Sequence, residues 1–233
     1  MVQVKGKVPA ASPRIPKQLR SRTTQEKILS ATIETIVEKG FDGASTHEIA
    51  RRASVKQSLV MYHFSSKESL CWAAARDIIE RFTGSFLEQL KATTKMDPAE
   101  KIEVLFHNYI EFSAKHPELH LFMIEANKHR SSQFYRMMEE HMRPAFEFIR
   151  KKIRQAQRSG SVIEGDPGII HYAMIGAATS VFSLPLEFEH LTGKRATDKA
   201  IIEGMKKVFS RLFFRNVSGE TAASPRVKEG DKR

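Results

Sequence analysis

The sequence predicts an all-α protein of two unequal parts, a small N-terminal helical domain followed by a larger helical domain. Three observations carry that expectation. Apolar residues recur along most of the chain at the three-to-four-residue spacing of a helix. Three segments, Thr23-x-x-Glu26, Ser45-x-x-Glu48 and Ser65-x-x-Glu68, have the form of a capping box just before an apolar-periodic run. No run of alternating β-branched residues is present to build a sheet. With 233 residues, 41% of them hydrophobic, the chain can bury a sizeable core.

Taken in order, helix 1 is expected from Thr24 to Lys39, with Ile28, Thr32/Ile33 and Ile36 inward and Gly40 as its stop. A second helix spans Thr46–Ala53 and a third Lys56–His63, with only Ser54 and Val55 between them. Two short helices joined so tightly describe a helix-turn-helix, with Ile49, Ala53, Val55 and Val60 facing a shared core. Helix 4 runs from Ser66 to about Leu90 and carries Leu70, Ile78, Phe82, Phe86 and Leu90. Helix 5 follows Asp97-Pro98 and reaches His116, where Pro117 breaks it. Helix 6 covers Glu118–Lys128, and helix 7 a single long span, Ser132–Ser159, ended by Gly160. Helix 8 occupies Pro167–Leu184, and helix 9 Thr197–Arg215, with Ile201, Met205, Val208, Phe209 and Leu212 inward. The implied division is a disordered basic arm over 1–22, the helix-turn-helix domain over 23–66, the larger helical domain over 67–216 and a disordered tail over 217–233.

Composition narrows the partners. Net charge is +11, and residues 1–22 carry six Lys or Arg and no acid. Such an arm suits a polyanion, since each neutralised phosphate releases counterions; it suits equally a solubilising tail with no target. No stretch approaches the roughly 18 apolar residues of a membrane span, and the Pro-rich start lacks the apolar region of a secretory signal. Cys71 is the single cysteine, so there is no intramolecular disulfide framework and the cytoplasm is the expected compartment. No dinucleotide, phosphate-loop or zinc-peptidase motif is present, so neither an enzyme nor a cofactor is expected. His116 and His120 are four apart, as metal pairs often are, but Pro117 intervenes and no carboxylate cluster completes a site.

The segment Ser45–Leu70, with the preceding helix from Thr24 to Glu38-Lys39-Gly40-Phe41 and the run Tyr62-His63-Phe64-Ser65-Ser66-Lys67-Glu68, resembles the tetracycline-repressor (TetR) family of bacterial regulators. It departs from the usual pattern at Ser54, where the family commonly has Gly, and in the recognition helix, which reads Lys56-Gln57-Ser58-Leu59-Val60-Met61. A Ser in a left-handed bend would carry strain. In a helix-turn-helix the second helix enters the major groove, which places Lys56, Gln57, Ser58 and Met61 against base edges. By the resemblance, Thr46, Tyr62, His63 and Lys67 match positions that hold phosphates. Arg20 and Arg22 either reach a minor groove or stay idle.

The resemblance further implies a homodimer paired through the last two main helices, with Gly176, Ala177 and Ala178 on one and the Ile201–Leu212 stripe on the other. It implies a cavity among the middle helices for a small apolar effector, lined by Phe106, Tyr109, Phe122, Met123, Met138, Met142, Phe146 and Tyr172. His107, Glu111, Asn127 and His171 are the polar candidates there. Ordinary core packing is the competing role for every one of these residues. The function so implied is a sequence-specific regulator, a repressor of a palindromic double-stranded operator released by its ligand. A sequence-neutral architectural DNA binder is the alternative, and a protein-interaction module of amphipathic helices is a third.

Overall fold

A computed structural model describes residues 17–128 and 131–215. It is helical nearly throughout, and its sole β-pairing among the described residues is an isolated bridge between Val162 and Phe214. The chain divides into two compact units, 1–74 and 75–233.

In the first unit, α1 (Lys17–Gly43) starts earlier than the sequence suggests, so Thr23 sits inside the helix and not at its N-cap. Residues 17–22 of the expected disordered arm are therefore helical; its earlier part, and the tail after 215, lie outside the described residues. Gly40 breaks the helix at φ 73, ψ 171, a conformation essentially reserved for glycine. Ile28, Ile33 and Ile36 are buried, and the buried hydroxyls of Thr32 and Thr35 donate to the carbonyls of Ile28 and Ala31. The helix α2 (Thr46–Arg52) is capped by Ser45, whose Oγ accepts from the Glu48 amide at 3.2 Å. The third box is shifted by one residue. Ser66 and Ser69 exchange side-chain-to-amide bonds at 3.0 and 3.1 Å, and α4 (Lys67–Ala92) begins after them.

Between α2 and α3 (Gln57–His63) the bend is a complete Schellman turn. The Val55 amide donates to Ala50 O at 3.0 Å and the Ser54 amide to Arg51 O at 3.2 Å, which places Ser54 at φ +56. An L-residue with a Cβ carries about 1–2 kcal/mol of strain in that region. Glycine would relieve it while adding unfolded-state entropy, so Ser54→Gly is expected to stabilise the protein by about 0.5–1 kcal/mol. A melting temperature a few degrees higher would verify this, and an unchanged or lower one would contradict it.

The second unit is organised around α5 (Pro98–Lys115), which packs against α8 (Arg143–Arg158), α9 (Pro167–Ser183) and α11 (Lys199–Phe213). Asp97 caps α5 by accepting the Ala99 and Glu100 amides, and Asp166 caps α9 in the same way. Its core includes Ile102, Ile110, Ile153, Met174, Phe182 and Phe209. The Val162–Phe214 bridge ties the α8–α9 link to the end of α11.

Three expectations are corrected. The single helix over Ser132–Ser159 is α7 (Ser132–Met137), a π-helical turn over Met138–Met142, then α8. Pro144 explains the change, because it has no N–H for the Glu140 carbonyl and its ring crowds that oxygen. An additional helix, α10 (Pro185–Thr192), lies between the last two expected ones and bends 70° from α9. Pro185 turns Leu184 out of helical geometry and starts α10, and Gly193 ends it at φ 68. Finally, α11 does not bury its whole stripe. Phe209 is in the core and Met205 packs against it, whereas Val208 and Leu212 are more than half exposed. The remaining element, α6 (Glu118–Ala126), ends two residues before the expected Lys128. No single helix among the described residues is long and apolar enough to cross a membrane.

Candidate functional site

In the first unit, α3 presents a continuous polar and aromatic face. Lys56, Gln57, Ser58, Met61 and Tyr62 are all exposed, Tyr62 by 80%, while Val60 is buried beneath them. Thr46 at the start of α2 joins this face, since Gln57 Nε2 donates to Thr46 Oγ1 at 3.0 Å. That bond orients the Gln57 amide and leaves its carbonyl oxygen available. His63 is half-buried edge-on to Tyr62, with ring centroids 5.3 Å apart. Lys67 Nζ donates to the Asp42 carbonyl at 2.9 Å, so here it caps the end of α1. Arg22 is exposed on α1; the side chain of Arg20 lies outside the described residues.

A cluster that sequence reasoning missed holds α2 to α1. Glu48 accepts from Arg51 at 2.7 and 2.9 Å and from Arg52 Nε at 3.0 Å, with Lys39 3.6 Å away. Arg52 also pairs with Glu38. The hydrogen bonds from Arg51 and Arg52 hold the Glu48 carboxyl well below the usual carboxylate range. A depressed folded-state pKa contributes stability above the unfolded value and loses it as pH falls through the folded one. Wild-type protein should therefore lose stability more steeply than Glu48→Gln below about pH 4.5, compared by denaturant unfolding. Parallel pH profiles for the two proteins would refute it. The signal for this cluster was the Glu48/Arg51/Arg52 spacing on one helix face.

In the second unit the middle helices enclose a cavity of about 730 Å³. Phe106, Tyr109, Met123, Met138, Met142, Phe146 and Tyr172 line it, together with Asn127 and His171. Phe122 does not reach it, being wholly buried in the core. His107 and Glu111 do not reach it either. His107 Nε2 donates at 2.9 Å to Ser210, whose hydroxyl in turn donates to Glu103, and Glu111 pairs with Lys206. Those bonds tie α5 to α11.

Further lining residues are Phe82, Phe86 and Phe112, which from the sequence read as core, and Glu139, Arg143 and His120. The periodicity of an apolar helix face cannot distinguish a residue facing a core from one facing a cavity. The π turn supplies Met138 and Met142 to the wall. His120 Nε2 donates to Ser113 Oγ at 2.7 Å, and Ser113 donates to the Tyr109 carbonyl. His120 thus belongs to the cavity wall and not to a metal pair with His116, which bonds Glu118 at 3.1 Å. Burial pushes both His120 and His171 down to about 4, so both are neutral near pH 7. Burial also raises the Tyr109 phenol above its ordinary value and Cys71 to about 11. A buried thiol of that kind is inert rather than nucleophilic.

A helix-turn-helix with an exposed second helix, followed by a helical domain around an apolar cavity, defines a protein of the DNA-binding regulator class. The family model "Bacterial regulatory proteins, tetR family" matches residues 28–74. The HTH-type transcriptional regulator UidR of Escherichia coli K12 is 28% identical over 146 residues, which is 62% of this chain and 72% of that protein. Two solved structures share the fold. FadR of Bacillus subtilis, in complex with stearoyl-CoA, has a TM-score of 0.59 at 16% identity, over 79% of this chain and 97% of that one. A transcriptional regulator from Saccharomonospora viridis, in complex with choline, has a TM-score of 0.60 at 15% identity, over 83% and 99%. Residues 28–74 therefore carry a helix-turn-helix domain of the TetR family, and the chain as a whole is similar to transcriptional regulators of that kind.

Proposed function

We propose that this regulator is a homodimeric repressor that reads a palindromic operator and leaves it when a small, largely apolar molecule fills its cavity. The observation that carries the reading is the pairing, in one chain, of an exposed α3 face with an apolar cavity of about 730 Å³ in the second unit. On this reading Lys56, Gln57, Ser58 and Met61 contact bases, and Thr46, Tyr62 and His63 contact phosphates. Lys67 gives one of its three ammonium donors to the Asp42 carbonyl and joins the phosphate contacts with the others. The helix α4 carries both Lys67 and the cavity residues Phe82 and Phe86, which makes it the element whose displacement would couple the two sites. That two regulators of this fold hold small ligands supports a ligand role for this cavity.

Pairing rests on the outer faces of α9 and α11. Ile169, Val208 and Leu212 are exposed there, and Gly176 and Gly204 lie within the helices with open space where a Cβ would stand. Glycine in a helix interior costs about 1 kcal/mol relative to alanine. No packing among the described residues explains that cost, whereas close approach of a second copy does.

The test is selection of duplexes from a random pool by the purified protein, followed by affinity measurement across salt. Enrichment of a palindrome, bound far more tightly than random DNA, is the expected result, with Gln57→Ala altering preference at one position per half-site. Binding that is salt-steep but indifferent to sequence would replace this reading with that of an architectural protein. Repression and ligand release are linked reciprocally, so an effector must bind the DNA-bound protein more weakly than the free one.

A further inference from the structure

We infer that the cavity selects an uncharged amphiphile, an apolar molecule whose hydrogen-bonding group meets the wall formed by Tyr109, His120 and His171. This rests on the ligand-binding reading above and specifies the charge class of the ligand. Although the chain carries a net charge of +11, little of that charge reaches the cavity. Among the described residues Glu139 and Arg143 are the only Asp, Glu, Lys or Arg lining it, and they neutralise each other through a two-pronged carboxylate–guanidinium pair at the junction of the π turn and α8. An ion seated deep in the cavity would give up much of its hydration, and no described side chain there offers a free counter-charge.

The two histidines do not supply one. The Nε2–H of His120 is committed to Ser113, and the same ring lies 5.6 Å from that of Tyr109 and 6.4 Å from that of Phe182. His171 is surrounded by the rings of Phe106, Phe146 and Tyr172 at 5.1–6.3 Å, and its buried Nδ1 has no hydrogen-bond partner. Both rings are neutral near pH 7, as burial penalises the imidazolium. The remaining polar side chains on the wall include Gln89, Asn108, Asn127 and Thr179, all uncharged. The wall also carries Phe82, Phe86, Phe112, Met138 and Met142, a surface for an alkyl or ring body. Aromatic faces attract cations, but that attraction acts here without an unpaired carboxylate beside it.

The experiment is displacement of the fluorescent probe N-phenyl-1-naphthylamine from the full-length protein near neutral pH. Three competitors share one alkyl chain and differ only in head-group charge: 1-decanol, decanoate and decyltrimethylammonium, each kept below its micelle concentration. Decanol is expected to displace the probe at concentrations about tenfold lower than either ion. Glu139→Gln releases Arg143 and should shift the ratio of decanoate to decanol affinity several-fold toward decanoate; Arg143→Gln should shift the ratio of ammonium to decanol affinity likewise. Both positions are exposed, so neither variant endangers folding. Wild-type protein that binds decanoate or the ammonium compound as well as decanol would overturn the inference and leave the cavity as a ligand site. Failure of the probe and of all three competitors to bind would overturn the ligand reading itself, while operator selection would still stand or fall on its own result.

Discussion

With Val208 and Leu212 both replaced by glutamate, the protein is expected to sediment as a monomer and to bind its operator at least about a hundredfold more weakly. Both side chains point outward from α11, 57% and 54% exposed, on the same stretch as Gly204. Pairing through this face would bring four carboxylates into an apolar contact, where each must be desolvated beside its like. A monomer carries one recognition helix and spans one half-site, so the loss falls on specific binding more than on the general attraction of a basic protein for DNA. Far-UV circular dichroism should be unchanged, since neither side chain supports the core of its own chain. A variant that stays dimeric, with operator affinity intact, would remove α11 from the proposed interface.

The largest loss of stability is expected from Phe209→Ala, one turn from Leu212's neighbour in the same helix but facing inward. Phe209 is 1% exposed and its ring lies 5.0 Å from both Phe106 and Phe213, and 6.1 Å from Phe214. Truncating a buried phenylalanine costs about 3–5 kcal/mol, through lost transfer energy and the void left behind. For a chain of this size that lowers the melting temperature by roughly 6–20 °C. Phe106 stacks on Phe209 and also lines the cavity, so probe binding should weaken as well. A loss below about 1 kcal/mol would mean that the surrounding side chains collapse into the space.

The first unit was largely legible in the sequence because its signals are local. Ser45 caps α2 where its hydroxyl and the following Glu48 indicate, Gly40 breaks α1, and the short Ser54-Val55 link forces a tight turn. Where local reading failed, a competing constraint decided. Thr23 has the form of a cap, but α1 already extends to Lys17, and the Ser65 box gives way to one built on Ser66 and Ser69. The π turn and α10 were both announced by prolines, Pro144 and Pro185, inside or just after patterns whose helical period dominated the reading.

The candidate sites divide along the same line. Exposure of Lys56, Gln57, Met61 and Tyr62 follows from which face of a seven-residue helix must bury Val60. Cavity lining does not follow from any helix alone. Phe106 and Phe122 have the same chemistry and the same apolar periodicity, yet one lines the cavity and the other is sealed in the core.

By itself, then, the sequence determined the helical class, the helix-turn-helix and its exposed face, because capping, turn geometry and amphipathic period act over a few residues. Only the tertiary structure decided that Glu48 locks α2 to α1, that Val208 and Leu212 face outward beside a buried Phe209, and that the charges lining the cavity cancel. Each of those depends on which residues distant along the chain become neighbours, and close packing of several helices settles that, not the period of any one of them.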